Sequence, residues 1–358
     1  MRIPQKSKRE DLYSSWKPAH LTSKIEQLKR GEIITPAHIQ IDLTGKCNHN
    51  CAMCFYRNAG FTHLEFVPNE EIPLEVGTGL FDQMADLGIP ALELTGGGEP
   101  LMYPKIRECL DRISKRGLEL ALVTNGSLLT KDILDRVTNP KWIRFSMDSA
   151  TEETRMNMHR SWKGEFESTL ANLQRVVDKK FDDCKVGVSF IIQPGNIHEI
   201  AKAAELYKKI GVDNIRFSYA FTSKYDNLLT PEQRKEASLA LAEAKKYEDR
   251  NYKVFVMEGR LDDFSPGEKT FDFCGYQMFT FQIGCDSLVY PCCIVKYYKQ
   301  YAFGDIRKQS LREIIFGEKR RKYLEEFDVN KCLPCWLKRK NEFIEYLLIK
   351  DAPHKYFV

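Results

Sequence analysis

The sequence predicts an α/β protein: a partial (β/α)6 TIM-like barrel followed by a small cysteine-rich α+β domain. Three observations lead there. Short β-rich runs alternate with longer amphipathic stretches as far as Phe255, the pattern of strand–helix units laid into a parallel sheet. Gly88, Gly117 and Gly211 fall where helices should stop, and glycine suits the left-handed helix C-terminus. Beyond Phe255 the pattern changes to short aromatic strands rich in cysteine.

In chain order, strands are expected at Ile39–Leu43, Ala91–Thr95, Glu119–Thr124, Ile143–Met147, Val186–Ile192 and Asn214–Ser218. Helices at Pro73–Leu87, Pro104–Arg116 and Asn196–Ile210 each end beside one of the three glycines. Thr230-Pro231-Glu232 opens another, because threonine caps and proline fits the first turn. Strands Phe279–Ile283 and Leu288–Tyr290 and helices Ser310–Phe316 and Lys338–Ile349 complete the reading. It divides the chain into an N-terminal extension (1–36), the barrel (37–255), the cysteine-rich domain (256–340) and a C-terminal helix and tail (341–358). No low-complexity linker separates the parts, so a shared interface is expected.

The 358 residues, 43% hydrophobic, are ample for a buried core. Lys and Arg exceed Asp and Glu by 54 to 50, which gives no argument for nucleic acid. The lysine-rich pieces Lys296–Lys299 and Lys338–Lys340 read as solvated faces. Met1–Glu10 is polar without an apolar core, and no long apolar run occurs, so a cytoplasmic location and no membrane span are expected. In a reducing compartment, eleven cysteines are metal ligands or catalytic groups rather than disulfides. Cys109 and Cys184 stand apart and read as small buried hydrophobes.

Cys47, Cys51 and Cys54 occupy one loop directly after the first expected strand, at the end of a barrel where active sites collect. Three thiolates hold three irons of a [4Fe–4S] cube and leave the fourth iron open to an outside ligand. Structural zinc is the alternative, but it wants four protein ligands, and His49 sits in a loop too tight to supply a good one.

This spacing resembles the radical S-adenosylmethionine (SAM) superfamily. The resemblance implies that the open iron chelates SAM and reduces it, giving methionine and a hydrogen-abstracting 5′-deoxyadenosyl radical. Met53 matches the family's apolar position near adenine, and its alternative use is a buried loop residue. Gly97, Gly98, Glu99 and Pro100 match the segment that binds the SAM amino group; glycines allow close approach and Glu99 accepts from an ammonium. By the same resemblance Asn125, Ser146 and Asp148 sit at strand ends near the ribose, and Ser146 with Arg160 would hold the SAM carboxylate. A surface cation is the other reading of Arg160, and Ser189 and Gln193 are open between pocket and solvent.

Cys274, Cys292, Cys332 and Cys335 are spaced to enclose a second [4Fe–4S] cluster with no open iron, or a zinc ribbon. With Cys274-Gly275, Pro291-Cys292, Phe303-Gly304-Asp305-Ile306 and Cys332-Leu333-Pro334-Cys335, the region resembles the SPASM and twitch auxiliary-cluster domains. The full SPASM pattern uses seven cysteines for two clusters; only Cys285 and Cys293 remain, so one auxiliary cluster is expected. Cys293 would be a catalytic hydrogen-atom donor, as in the family's epimerases, or else a spare ligand or buried residue.

The resemblance implies dehydrogenation or epimerisation of a small hydroxylated molecule (a sugar, cyclitol or nucleoside), with electrons from a flavodoxin or ferredoxin-type donor. Modification of a ribosomal peptide is the alternative, disfavoured because only 46 residues precede Cys47. A non-catalytic metal scaffold is the rival from another class; the Gly97–Pro100 segment argues against it, since a scaffold needs no amine-binding loop.

Overall fold

The computed structural model describes residues 12–58, 60, 64–179, 181–220, 228–257 and 269–350. The first eleven residues and the tail after Lys350, both covered by the sequence reading, lie outside the described residues. A single sheet of ten strands organises the chain, in the order β10-β9-β8-β1-β2-β3-β4-β5-β6-β7. Strands β1 (His38–Ile41), β2 (Ala91–Leu94), β3 (Glu119–Thr124), β4 (Pro140–Ser146), β5 (Lys185–Ile192) and β6 (Asn214–Tyr219) are the six expected ones. They pair in parallel throughout, with one register shift between β3 and β4 at Leu120 and Ala121.

A seventh parallel strand, β7 (Lys253–Val256), was not expected. Its four residues are too few for alternation to show. The C-terminal strands β8 (Thr280–Ile283), β9 (Leu288–Tyr290) and β10 (Gly304–Asp305) do not form a sheet of their own. β8 lies parallel beside β1, with Phe281 opposite Ile39, so the cysteine-rich region is hydrogen-bonded to the strand that launches the first cysteine loop.

Helices α1 (Thr22–Lys29), α2 (Leu74–Asp86), α3 (Ile106–Lys115), α4 (Lys131–Arg136), α5 (Glu152–His159), α6 (Glu165–Lys179), α7 (Ile200–Ile210) and α8 (Pro231–Lys245) accompany the strands. Gly88, Gly117 and Gly211 have φ of 68°, 67° and 94°, the left-handed values expected after α2, α3 and α7. The stretch read as one helix from Asn196 begins with a 3-10 turn, Ile197–Glu199, before α7. Thr230 makes a full capping box with Gln233 at the start of α8. In the C-terminal region, helices run Leu311–Phe316, Glu318–Glu326 and Lys338–Leu348, the middle one unforeseen.

One face of the sheet is apolar. Ile39, Leu92, Leu120, Ile143, Val188 and Ile215 are at most 1% exposed and share a core with Leu80, Phe81 and Met84 of α2 and Ala203 and Tyr207 of α7. Alternation along each strand therefore sends the intervening polar side chains to the opposite face. No helix among the described residues is long and apolar enough to cross a membrane.

Candidate active site

Strand ends β1 to β5 bring the sequence motifs to one rim. Asp42, fully buried just after β1, accepts from the Gly97 N–H at 2.8 Å, so the glycine segment after β2 is tied to the root of the cysteine loop. A Cβ at Gly98 would meet the Lys46 carbonyl oxygen at 2.2 Å and that of Thr44 at 2.6 Å. Only glycine fits there. The Glu99 N–H then donates to Lys46 O at 2.8 Å.

The Glu99 carboxylate is 3% exposed and heavily engaged. It accepts from the Thr124 hydroxyl at 2.6 Å, the Asn125 N–H at 2.7 Å and the Leu101 N–H at 3.1 Å. Burial pushes its pKa up, and those donors pull against it. Glu99 thus stitches β2 to β3 through these three donors. Asn125 continues the seam, donating from Nδ2 to Asn48 Oδ1 in the cysteine loop at 2.8 Å.

Burial pushes the Cys47 thiol up to about 11 and those of Cys51 and Cys54 upward as well. Buried thiols with so little compensating charge become thiolates when metal charge is supplied. A zinc tetrahedron would draw its sulfurs to about 3.8 Å, given Zn–S near 2.3 Å. Among the described residues, His49, Cys51 and His159 each bring one ligand atom within 4.8 Å of the others.

Behind Cys51 lies a buried polar network that the sequence reading missed. Arg155, fully buried on α5, makes a two-pronged ion pair with Glu165, Nε to Oε2 and Nη2 to Oε1, both at 2.9 Å. It also donates to the carbonyls of Asn125 (3.0 Å), Ser146 (2.7 Å) and Met147 (3.1 Å), clamping the ends of β3 and β4. His159 sets Nδ1 3.5 Å from Cys51 Sγ and Nε2 2.9 Å from Asp148. Burial lowers the basicity of His159 and of His49, the latter to about 3. Periodicity gives no sign of such a cluster; an arginine four residues before a histidine was the available signal.

Other expected residues divide. Met53 is buried in the loop at 6% exposure. Asp148, in a left-handed conformation at φ 54°, spends Oδ1 on the Ile191 N–H (2.6 Å) and Oδ2 on His159. Ser146 offers its carbonyl to Arg155. Arg160 is exposed at the left-handed C-cap of α5, and the arginine that reaches Ser146 is Arg155. Ser189 and Gln193 are buried. Cys109 is fully buried as expected, whereas Cys184 is only partly so.

At the other end, Cys274, Cys292, Cys332 and Cys335 line one cavity with apolar neighbours that include Phe271, Ile294, Val295 and Leu337. Four thiols around an apolar cavity fit a closed cluster. Cys293 is half-buried beside it, and Cys285 is buried with Sγ 3.3 Å from the Tyr297 hydroxyl. The two cysteine sites meet through aromatic contacts, Phe55 to Trp336 at 6.4 Å and Tyr56 to Tyr297 at 5.4 Å. Lys296 corrects the sequence reading: it is 1% exposed, not on a solvated face, and Nζ donates to Asp42 at 2.7 Å. Local charge density marks lysine as solvent-seeking; the paired carboxylate, 254 residues away in sequence, is what buries it.

Residues 41–207 match the sequence family described as the radical SAM superfamily. The chain carries a radical SAM domain. Residues 274–336 match the SPASM family, an iron-sulfur cluster-binding domain. The two domain matches imply a [4Fe–4S] cluster, SAM and an auxiliary cluster as cofactors. It is 34% identical over 180 residues to the AdoMet-dependent heme synthase of Methanosarcina barkeri, covering 49% of this chain and 48% of that one. The chain thus spans about half of that relative's length. It is 24% identical over 331 residues to the Fe-coproporphyrin III synthase of the same organism, 83% of this chain and 80% of that one. Streptococcus suis SuiB bound to S-adenosylmethionine shares the fold, with a TM-score of 0.62 at 13% identity over 84% of this chain and 70% of that one.

Proposed function

We propose that this radical SAM enzyme oxidises a small, non-peptide molecule held on the polar face of its sheet, between the two cluster sites. When bound, the first cluster and SAM supply a hydrogen-abstracting radical, and the auxiliary cluster supplies an electron acceptor. Cys47, Cys51 and Cys54 would hold the first cluster, and Cys274, Cys292, Cys332 and Cys335 the second. Gly97, Gly98 and Glu99 form the wall for the SAM amino group, and Met53 the apolar wall near adenine. A flavodoxin or ferredoxin-type protein would deliver the electrons.

The observation that carries this reading is the buried link from Lys296, four residues after Cys292, through Asp42 to the Gly97 N–H. It ties the segment that would bind SAM to the chain just after Cys292, which supports a substrate held between the two sites. The match that runs over most of the chain, to Fe-coproporphyrin III synthase, supports a small molecule over a peptide. Cys293, beside Cys292 and half-buried, is the residue that would return a hydrogen atom if the outcome were epimerisation instead.

The test is anaerobic turnover of the reconstituted enzyme with SAM and reductant, in deuterated water, against pooled metabolites. Oxidation predicts 5′-deoxyadenosine together with a product lacking one hydrogen pair. A product carrying a single deuterium with no net oxidation would replace this reading by epimerisation through Cys293.

A further inference from the structure

The main chain ties the first cysteine loop to the end of α5. The Asn50 N–H donates to His159 O at 3.3 Å, and the Ala52 N–H to Met158 O at 2.9 Å. Cys51 lies between these two anchors, so the backbone itself sets His159 beside its sulfur. Spacing along the chain hides what this brings together, because His49 and His159 are 110 residues apart.

Three ligand atoms converge there. His159 Nδ1 is 3.5 Å from Cys51 Sγ and 3.4 Å from His49 Nδ1. With Zn–N of about 2.0 Å and Zn–S of about 2.3 Å, a tetrahedral ion sets two nitrogens about 3.3 Å apart and a nitrogen about 3.5 Å from a sulfur. Both separations in the protein agree with those values. The two imidazoles stand at 90° to each other, 3% and 1% exposed for His49 and His159.

The opposite ring nitrogens face carboxylates. His159 Nε2 is 2.9 Å from Asp148 Oδ2, and His49 Nε2 is 3.5 Å from Glu165 Oε1, an ion-pair contact rather than an aligned hydrogen bond. A carboxylate at the far nitrogen keeps the ring proton there and leaves Nδ1 as a lone pair, the arrangement that stands behind metal-bound histidines. Two such lone pairs facing each other repel, and a cation between them relieves the repulsion. Arg155 Nη1 lies 3.3 Å from His159 Nε2, but its guanidinium is committed to Glu165 and to the carbonyls of Asn125, Ser146 and Met147.

We propose that His49, Cys51 and His159 bind a Zn²⁺ ion in the cluster-free protein, with Asp148 and Glu165 orienting the two imidazoles. Three protein ligands leave the fourth position of the tetrahedron to water. Binding releases the Cys51 proton to solvent. Cys51 serves this site and the first cluster alike, so the two are mutually exclusive, and an ion held here blocks cluster assembly. The proposal does not depend on the reaction proposed above.

The experiment titrates Co²⁺, a spectroscopic stand-in for Zn²⁺, into the full chain freed of iron and kept anaerobic. Sulfur-to-cobalt absorption and bound-metal analysis are read on wild type and variants, with circular dichroism confirming that each is folded. The C-terminal cysteines are present in every variant, so their signal is a common background. His49→Gln, His159→Gln and Cys51→Ala should each lose one Co²⁺ relative to wild type, whereas the double change Cys47→Ala with Cys54→Ala should keep it. Asp148→Asn should weaken that binding roughly 10–100-fold, and cluster-loaded wild type should take up no Co²⁺ at this site. An unchanged Co²⁺ count in the histidine variants would overturn the proposal. Loss of the ion in the Cys47 and Cys54 double variant would also overturn it and make this a thiolate site. Uptake by the cluster-loaded protein with the same dependence on both histidines would overturn the mutual exclusion.

Discussion

Lys296 carries its ammonium 2.7 Å from the carboxylate of Asp42, and both side chains are buried. Burial opposes the lysine's charge, yet Asp42 holds its basicity above the usual value. Removing one partner of a buried pair leaves an uncompensated charge, costing about 3–5 kcal/mol. Lys296→Met should therefore unfold at markedly lower denaturant concentration than wild type. The double change Asp42→Asn with Lys296→Met should recover part of the loss, measured by urea titration of the full chain.

Gly98→Ala should disable the first cluster rather than merely weaken SAM binding. The added methyl would strike backbone oxygens of Thr44 and Lys46, which no side-chain rotation relieves. Iron analysis after anaerobic reconstitution should show loss from the first site with the C-terminal site still filled. Full iron content in the variant would contradict the close packing described.

Glu99→Ala removes the acceptor of three hydrogen bonds at the β2–β3 seam. Each charged hydrogen bond contributes about 1.5–3 kcal/mol, and a buried Asn125 N–H is left unsatisfied. SAM affinity should fall by at least tenfold in equilibrium binding, with the cluster retained.

Acid should unpick the Arg155–Glu165 pair late. Burial disfavours the Glu165 carboxylate, but Arg155 outweighs it and holds its pKa at about 2, below the usual 4.5. A depressed folded value means the pair's stabilisation is present above about 4.5 and is lost as pH falls from there towards 2. Glu165→Gln should flatten the acid limb of the stability curve in that window, read by denaturant midpoints from pH 5 downward.

Cys293→Ala should leave both SAM cleavage and the oxidised product unchanged, because the proposed oxidation needs no hydrogen-atom donor, whereas an altered product would mark Cys293 as that donor. Product analysis in deuterated water checks this. Unchanged products would assign Cys293 a packing role.

How much of this was legible varies by residue. Glu119–Thr124 was read to the residue because its alternation and its flanking Gly117 are local signals. Both cysteine groups were legible because ligand spacing is written along the chain. What escaped depends on distant pairing: Lys296 reads as surface until Asp42 is beside it, and Arg155 until Glu165 folds back across it. Arg160 reads from the resemblance as either a SAM-carboxylate ligand or a surface cation; the structure exposes it at the C-cap of α5 and brings Arg155 to the Ser146 carbonyl. Of the C-terminal strands, β8 and β9 were foreseen and β10 was not, nor was their addition to the barrel sheet through β8, because edge pairing leaves no trace in either strand alone.

The most direct test of the whole account is iron and acid-labile sulfide after anaerobic reconstitution, in wild type and in a variant with Cys47, Cys51 and Cys54 all changed to alanine, with 5′-deoxyadenosine formation measured on both. Two cubane clusters predict about eight irons in wild type and about four in the variant, with SAM cleavage confined to wild type. SAM cleavage by the triple variant, or equal iron in the two proteins, would contradict it.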